Sequence, residues 1–320
     1  TSRRQRQMCI RDSSSSEAMF WGESEAMRRI LRLVEKVAET DANMLITGEN
    51  GTGKEVMARE IHRRSLRRDE LMVAVDMGAL PESLFESELF GHCKGAFTDA
   101  HTDRIGKFEI AQGGTLFLDE IGNLSYHLQA KLLSAIQSRT IVRVGSNRPV
   151  ETDVRLICAT NQNLQAMVAQ ERFRRDLLYR INTIHIEIPP LRQRREDIVP
   201  LARLFLEKYA AKYGKQGIRI DGEACRKLQE YDWYGNIREL QHTVEKAVII
   251  CDSMTIGQES LLMTPQQEEP NAGGVSTLEE MERNMIRQAI RLHESNMSAV
   301  AAQLGITRQT LYNKIKKYGL

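Results

Sequence analysis

The stretch LITGENGTGKE, residues 45–55, joins a short apolar run to a helical pattern. Gly48, Gly53 and Lys54 in it have the spacing G-x-x-x-x-G-K. Glycines let backbone amides turn inward around phosphate oxygens, and the lysine and the following helix N-terminus add positive charge. We predict a phosphate-binding P-loop, with a ligand-free glycine turn as the alternative. The residues expected to contact a nucleotide are Gly48, Glu49, Asn50, Gly51, Thr52, Gly53, Lys54 and Glu55.

Apolar runs of strand length recur along the first 190 residues. They read NMLITG, LMVAVDM, GTLFLDE, VRLICATN and IHIEIPP, and helical patterns such as HLQAKLLSAIQ separate several of them. Strands that alternate with helices indicate a mostly parallel sheet covered on both faces. We therefore predict an α/β fold, a parallel sheet sandwiched by helices.

Changes in composition divide the chain further. Residues 1–18 are basic and serine-rich and resemble a linker, and residues 19–190 hold the α/β pattern. After Pro189-Pro190 the patterns are helical, which predicts a smaller helical subdomain over 191–260. A polar linker over 261–277 leads to a terminal helical module, residues 278–320. The chain starts with Thr rather than Met, so we expect a fragment that lacks an N-terminal part.

Composition favours a globular protein rather than a membrane protein. The chain has 320 residues, 41% hydrophobic and 28% charged, without an apolar run of spanning length or a secretory signal. Its five cysteines are scattered without CxxC spacing, which indicates reduced thiols and a cytoplasmic protein rather than a zinc site. The net charge is +2, but residues 298–320 carry only basic charges, which favours a nucleic-acid partner for that end.

Two acidic residues, Asp119 and Glu120, end the apolar run GTLFLDE. Adjacent parallel strands would direct them at the P-loop. Asp119 is the expected Mg²⁺ ligand, and Glu120 the expected base that polarises the attacking water. Because Glu55 stands where a Ser or Thr hydroxyl commonly touches Mg²⁺, the metal would depend on Asp119.

Three arginines extend this predicted site: Arg174 and Arg180 in FRRDLLYR, and Arg238 in GNIREL. An arginine supplied to the γ-phosphate raises the rate of hydrolysis by about 10³ to 10⁵. Ordinary surface ion pairs are the alternative, and the sequence pattern alone does not separate the two.

Seven motifs in order give the chain a resemblance to a known family. They are GENGTGKE, ESELFGHCKGAFTDA, GGTLFLDEIGNL, ATNQNL, FRRDLLYRIN, IPPLRQRREDI and WYGNIREL, and the likeness covers residues 20 to about 255. The chain resembles the bacterial enhancer-binding proteins, the AAA+ activators of sigma-54 RNA polymerase, and among them the NtrC-like response regulators. The missing N-terminal part would then be a receiver domain.

The resemblance implies an AAA+ P-loop ATPase with a helical lid, assembled as a ring, usually a hexamer, with ATP and Mg²⁺ between subunits. Arg174 and Arg180 align with the arginine fingers that act on a neighbouring subunit, and Arg238 with the second sensor. Thr160 and Asn161 fall at the first sensor. Phe20, Trp21 and Gly22 align with the stretch near the adenine, although a core aromatic pair explains the first two equally well.

The segment GAFTDA aligns with the family's loop that contacts sigma-54. The expected contact residues are Gly95, Ala96, Phe97, Thr98, Asp99 and Ala100, with Phe97 and Thr98 foremost. An exposed aromatic side chain on a glycine-flanked loop fits a protein partner. A second loop, residues 143–154, is expected to move with it.

Two positions depart from the family pattern. Asp99 replaces the usual Gly, which removes freedom for positive φ and adds a charge. Asp76 stands where Asn commonly links nucleotide state to Glu120, and it would bring a negative charge near that base. Both departures bear on how hydrolysis is coupled to the partner protein rather than on ATP binding.

The C-terminal stretch NMSAVAAQLGITRQTLYNKIKKYGL reads as two short helices around Gly305 and resembles a Fis-type helix-turn-helix. A bare helical hairpin is the alternative. The residues expected at double-stranded DNA are Thr307, Arg308, Gln309, Thr310, Asn313, Lys316 and Lys317. By the resemblance, the preceding helices in 278–294 pair two subunits on two-fold symmetric DNA.

Together these features predict a transcription activator that hydrolyses ATP to remodel the sigma-54 promoter complex while bound to enhancer DNA. Two other functions stay open from the sequence. One is an AAA+ enzyme that opens DNA itself, and the other a DNA-binding regulator that uses ATP only to assemble, without sigma-54 contact.

Overall fold

The computed structural model describes residues 19–263, 282–283, 285–287, 289–290 and 297–318. The linker predicted for 1–18, nearly all of the linker predicted for 261–277 and much of the segment expected to pair subunits lie outside these residues. The chain divides into two compact units, Thr1–Met263 and Thr264–Leu320.

The first unit is built on a parallel five-stranded sheet with the strand order β2-β5-β8-β1-β9. The strands of the unit, in chain order, are β1 (Met44–Thr47), β2 (Met72–Asp76), β3 (Gly91–His92), β4 (Arg104–Ile105), β5 (Thr115–Asp119), β6 (Thr140–Val142), β7 (Pro149–Glu151), β8 (Arg155–Thr160), β9 (Ile184–Glu187), β10 (Arg219–Ile220) and β11 (Thr255–Ile256). The five central strands are the five predicted apolar runs, so the predicted fold class is confirmed.

Helices cover both faces of this sheet. They are α1 (Glu25–Val37), α2 (Lys54–Arg63), α3 (Glu82–Phe90), α4 (Lys107–Ile110), α5 (Tyr126–Ser138), α6 (Leu164–Ala169) and α7 (Arg175–Ile181). Successive strand residues point to opposite faces. Leu116 and Leu118 of β5 accordingly pack into one core cluster, while Phe117 packs into another with residues of α1 and α2. Strands buried on both faces explain the continuous apolar runs in the sequence.

A separate core cluster, from Leu191 to Leu261, lies in the region predicted as the helical subdomain, which we call the lid. Its helices are α8 (Ile198–Tyr213), α9 (Gly222–Glu230) and α10 (Asn236–Ile250). Trp233 is fully buried there and donates its indole N–H to the carbonyl of Leu228 at 2.7 Å. The sequence did not predict the small parallel pair β10–β11, because two-residue strands are too short for a periodic pattern.

The second unit contains α11 (Met297–Gln303) and α12 (Arg308–Tyr318). Gly305 makes the turn between them with φ +64°, and Leu311 of α12 is fully buried in a small core with Val300. In the residues that the structure describes, no helix combines the length and hydropathy required to cross a bilayer.

The sheet core predicts a stability effect. Leu118 is fully buried in β5, one residue before Asp119. Leu118→Ala should lower the free energy of unfolding by about 2–5 kcal/mol, because it removes apolar contacts and leaves a cavity. Urea denaturation followed by circular dichroism measures this. Leu66→Ala is the matched control, because Leu66 is 79% exposed; equal losses in both variants would contradict the assignment.

Candidate functional site

The P-loop connects β1 to α2 and encloses Lys54. Gly48, Gly51 and Gly53 have φ values of +155°, +78° and +101°, which side chains rarely allow. Lys54 is buried to 7% exposure, and its Nζ donates to the carbonyl of Gly48 at 3.0 Å. With β1 before the loop and the N-terminus of α2 after it, this arrangement is built to bind phosphate.

The predicted acidic pair lies at the carboxyl end of β5, beside the P-loop. Glu120 Oε1 lies 3.6 Å from Lys54 Nζ, and its Oε2 is buried without a hydrogen-bond partner in the described part of the chain. Glu120 has φ +54° and ψ +44°, a left-handed conformation that is uncommon for a residue with a side chain. Backbone strain of this kind clusters at functional sites.

Asp119 lies in a region of negative charge. Its pKa is raised above the ordinary value, first because the carboxyl is buried and then because Glu120 and Asp76 repel its charge. Asp76 is paired with Asp119 in the register of β2 and β5. A carboxylate in this position gains from a cation, which suits a ligand for a hard metal ion.

The P-loop and the acidic pair open into a cavity of about 820 Å³ between the sheet and the lid. One part of its wall is apolar and comes from the N-terminal segment and the lid; the other part is polar. The lining residues are Met19, Phe20, Asn50, Gly51, Thr52, Gly53, Lys54, Glu55, Val56, Asp76, Asp119, Glu120, Arg194, Leu201, Leu204, Phe205, Glu207, Lys208, Ile237, Arg238 and Gln241. The structure thus brings the predicted Arg238 to the same cavity as Lys54.

Asn161 follows β8, next to β1 in the sheet, and its amide donates to Asn50 Oδ1 at 3.0 Å. Thr160 is fully buried at the end of β8. A side chain of the predicted first sensor therefore contacts the P-loop directly.

Of the stretch predicted near the adenine, Phe20 lines the cavity together with Met19, whereas Trp21 and Gly22 do not line it. The Arg64 guanidinium lies over the Trp21 ring, 5.4 Å from the ring centroid. Gly22 has φ +70°, and a Cβ there would lie 2.4 Å from the Asp197 carboxylate, so glycine permits a close approach to the lid at this position.

Arg174 and Arg180 lie outside the cavity. Arg174 is the N-cap of α7, and Arg180 lies in the last turn of that helix. Arg174 forms an ion pair with Asp176 at 2.8 Å and lies over the Tyr126 ring. Arg180 lines a different, polar cavity of about 220 Å³ together with Asp41. A single chain therefore does not bring these two arginines to its own Lys54.

The 95–100 loop lies between β3 and β4, which pair antiparallel at its base. Phe97 is 40% exposed, and its ring packs edge-on against His92 with the centroids 4.9 Å apart. Thr98 and Asp99 are exposed, whereas Ala100 is buried and donates its N–H to the carbonyl of Phe97 at 3.0 Å. In this conformation Phe97, Thr98 and Asp99 are available to a partner and Ala100 is not.

The second predicted loop packs against the first. It lies around the antiparallel hairpin of β6 and β7. Cys93 N donates to Val144 O at 3.0 Å, and Val144 N donates to Gly91 O at 2.9 Å. A Cβ at Gly145 would meet the Ala96 methyl at 2.7 Å. The two loops therefore touch through backbone hydrogen bonds and direct packing.

The two departures from the family pattern have local explanations. Asp99 is not among the described side-chain-bearing residues with positive φ, so this backbone does not require glycine at that position. Asp76 accepts a hydrogen bond from Gly78 N at 2.8 Å, which turns one carboxylate oxygen toward its own loop. Its charge nevertheless contributes to the raised pKa of Asp119.

In the second unit, α12 exposes a polar face. Thr307 Oγ accepts from Thr310 N at 3.2 Å and caps the helix. Thr310 is half-buried, and the other expected DNA-contact residues are exposed: Thr307, Arg308, Gln309, Asn313, Lys316 and Lys317. Tyr312, which was not predicted, is 48% exposed on this helix. Lys314 forms an ion pair with Glu282.

The lid residues that bind the P-loop were not predicted as such. Arg192 forms an ion pair with Glu49, and Asn236 donates to Asn50 O at 3.0 Å. They lie in two of the motifs that carry the family resemblance, IPPLRQRREDI and WYGNIREL. Among the described residues no cluster of three or more His, Cys, Asp or Glu side chains could hold a metal.

The charge around Asp119 predicts a pH-dependent stability difference. Because its pKa is raised in the folded chain, ionised Asp119 destabilises the fold at neutral pH, and this loss disappears as the pH falls through the folded pKa. Asp119→Asn should therefore raise the thermal unfolding midpoint of the nucleotide-free protein at neutral pH, and the gain should shrink toward acidic pH. A difference that stays constant across this range would contradict a raised pKa of Asp119 in the folded chain.

Three family profiles match the chain. The profile described as "Sigma-54 interaction domain" matches residues 20–187, that of the AAA+ ATPase lid domain residues 192–277, and that of the Fis family of bacterial regulatory proteins residues 277–318. The first profile alone covers more than half of the chain.

Relatives of known sequence and structure agree with these profiles. The transcriptional regulatory protein ZraR of Klebsiella oxytoca is 46% identical over 313 residues, covering 96% of this chain and 71% of the relative. The regulatory protein AtoC of Escherichia coli (strain K12) is 44% identical, covering 95% and 69%. The crystal structure of NtrX from Brucella abortus in complex with ADP matches with a TM-score of 0.73 at 30% identity, covering 99% and 72%. The chain therefore belongs to the sigma-54-dependent transcriptional activators and is an AAA+ ATPase with a Fis-type DNA-binding domain.

Proposed function

We propose that the chain assembles into a ring, binds ATP with Mg²⁺ in the cavity and uses hydrolysis to drive the 95–100 loop against sigma-54. The observation that carries this proposal is the incompleteness of the site in one chain. Lys54, Glu120 and Arg238 line one cavity, whereas Arg174 and Arg180 lie outside it. A neighbouring copy of the chain would supply the missing arginines.

The P-loop amides and Lys54 would hold the phosphates of ATP. Glu120 Oε2, which has no described hydrogen-bond partner, accepts a proton from water. The water oxygen bonds to the γ-phosphorus, and the bond from that phosphorus to the β–γ bridging oxygen breaks, which releases ADP. A neighbour's Arg174 or Arg180 would stabilise the charge that builds on the transferred group.

The residues present fit a magnesium ion. Asp119 offers a carboxylate whose charge is opposed by Glu120 and Asp76, and Mg²⁺ in proteins is commonly held by one or two carboxylates plus substrate phosphates. Asp119 would hold the ion, which supplies neutralisation of negative charge on the phosphates. Binding through one carboxylate and the phosphates of ATP does not require a cluster of three or more protein ligands, and the described residues contain none.

The connection from the site to the partner loop runs along the chain. After Glu120, a single 3₁₀ turn (Ile121–Asn123) leads into α5, and α5 leads into β6 of the second hairpin. That hairpin bonds Gly91 and Cys93 at the base of the 95–100 loop. A change in Glu120 with nucleotide state can therefore reach Phe97 through packed elements rather than through solvent.

The C-terminal unit would bind enhancer DNA through α12. The exposed Arg308, Asn313 and Lys316 lie on one described helix, whose N-terminal end carries the Thr307 cap. Basic side chains contact phosphates, and Asn and Gln side chains read base edges in the major groove. Tyr312 is a further proposed contact, because it is half-exposed beside Asn313.

Removing the aromatic tip tests the proposed work on sigma-54. Phe97→Ala should leave ATP turnover within about twofold and lower open-complex formation at least about 30-fold, as loss of a central aromatic contact does at other interfaces. Open-complex formation on a sigma-54 promoter and ATP turnover are measured side by side. The control is Leu66→Ala, which removes an exposed apolar side chain elsewhere. Full open-complex formation by Phe97→Ala would favour a regulator that uses ATP only to assemble.

Mixed assemblies test whether the arginines act on a neighbour. Lys54→Ala and Arg174→Ala proteins should each be inactive, but an equal mixture should recover turnover. Roughly a quarter of the head-to-tail interfaces would then join an intact P-loop to an intact Arg174. ATP turnover is measured against the mixing ratio, with two preparations of Lys54→Ala mixed as the control. Mixtures that stay inactive despite assembly would rule out action between neighbours.

A further inference from the structure

Three successive carbonyl oxygens of the P-loop accept hydrogen bonds from the lid. Asn236 Nδ2 donates to Asn50 O at 3.0 Å. Ile237 N donates to Gly51 O at 3.0 Å. Arg194 Nη2 donates to Thr52 O at 3.1 Å. The lid therefore binds the outer side of the loop at consecutive peptide groups, not at a single point.

Peptide geometry gives these bonds a consequence for the inner side of the loop. In a planar trans peptide the C=O of one residue and the N–H of the next point in opposite directions. Holding the carbonyls of residues 50–52 outward therefore turns the N–H groups of residues 51–53 inward, where phosphate binds. Thr52 N donates to Glu49 O at 3.4 Å, and Lys54 Nζ donates to the same carbonyl at 3.4 Å.

The Arg194 side chain is fixed in place by burial and by its contacts. It is 2% exposed, and its second terminal nitrogen contacts Met27 Sδ at 3.2 Å. Burial lowers its pKa to about 10, which leaves the guanidinium charged at neutral pH, and Asp197 opposes this shift. Asp197 in turn is fully buried and accepts hydrogen bonds from Ser24 N at 3.0 Å and Ser24 Oγ at 2.7 Å.

Asn236 is equally constrained. It is fully buried with φ +54°, and its Oδ1 accepts from Leu191 N at 2.7 Å. Its Nδ2 also lies 3.1 Å from Glu49 Oε2, and Arg192 holds the same carboxylate. A Cβ at Gly51 would lie 2.3 Å from Gly235 O, so glycine is what lets the loop and the lid come this close.

We propose that Arg194 and Asn236 are positioning residues that preorganise the P-loop for phosphate by holding its outer carbonyls to the lid. The inference rests on the proposed ATP site. It adds that attachment of the P-loop to the lid and binding of phosphate by the P-loop are thermodynamically coupled. A loop that spends less time in the binding-competent shape binds nucleotide more weakly in proportion to the lost population.

Asn236→Asp tests the inference with little change of shape. It removes the donor to Asn50 O, keeps the acceptor for Leu191 N and keeps a residue type that tolerates positive φ. Calorimetric titration of the 320-residue chain with ADP should show affinity at least about fivefold weaker, because the variant loses the buried hydrogen bond to Asn50 O and brings a second carboxylate beside Glu49. The KM for ATP should rise by a similar factor, while kcat at saturating ATP stays within about twofold.

Arg195→Gln is the matched control, because Arg195 pairs with Asp232 inside the lid and makes no described contact with the P-loop. Unchanged ADP affinity in a folded Asn236→Asp protein overturns the inference, and so does an equal loss in Arg195→Gln. A fall in kcat without a change in KM overturns it as well.

A measurement on the unaltered chain covers the case in which Asn236→Asp fails to fold. Binding of ADP must strengthen the lid bonds if those bonds strengthen binding of ADP. Saturating ADP should therefore slow hydrogen exchange at Ile237 N, which donates to Gly51 O, more than at amides near the end of α10. Exchange that ADP leaves unchanged overturns the inference. Both assays omit sigma-54, DNA and hydrolysis, so failure of open-complex formation alone leaves the inference intact.

Discussion

Parallel pairing of the five central strands is the constraint on which the rest of the first unit depends. Since all five run in one direction, their carboxyl ends meet at one edge of the sheet. The register sets Thr47 opposite Thr160 and Asp76 opposite Asp119. A slip by one residue would exchange the two faces of a strand and turn its buried side chains into the wrong layer. The P-loop, the acidic pair and Asn161 converge because the register is fixed.

Much of this arrangement could be predicted from the sequence. Strand-length apolar runs and the glycine spacing before α2 are local patterns, and they predicted the sheet, the P-loop and the place of Glu120. The lid contacts could not be predicted in the same way. Glu49 and Arg192 are 143 residues apart, and neither periodicity nor composition links two such positions. That Phe20 lines the cavity and Trp21 does not could not be predicted for a related reason: two adjacent aromatic residues carry no signal for which one faces the cavity.

The 95–100 loop is held at its base more firmly than its glycines suggested. His92 is buried, its ring contacts Ser87 Oγ at 2.6 Å, and the Phe97 ring packs against it. Lys94 N is bound by Asp103 Oδ1 at 2.7 Å. These contacts anchor the base of the loop, while Phe97, Thr98 and Asp99 at its tip are exposed. A tip on a rigid base can transmit a displacement of the second hairpin, which a flexible tether would absorb.

The ion pair between Lys314 and Glu282 bears on the thermodynamics of DNA binding. A cation that is already neutralised within the protein displaces few counterions from a duplex. Lys314 is therefore expected to contribute less than the exposed Lys316 of the same helix to the slope of the logarithm of affinity against the logarithm of salt concentration, to which each neutralised phosphate adds about −0.9.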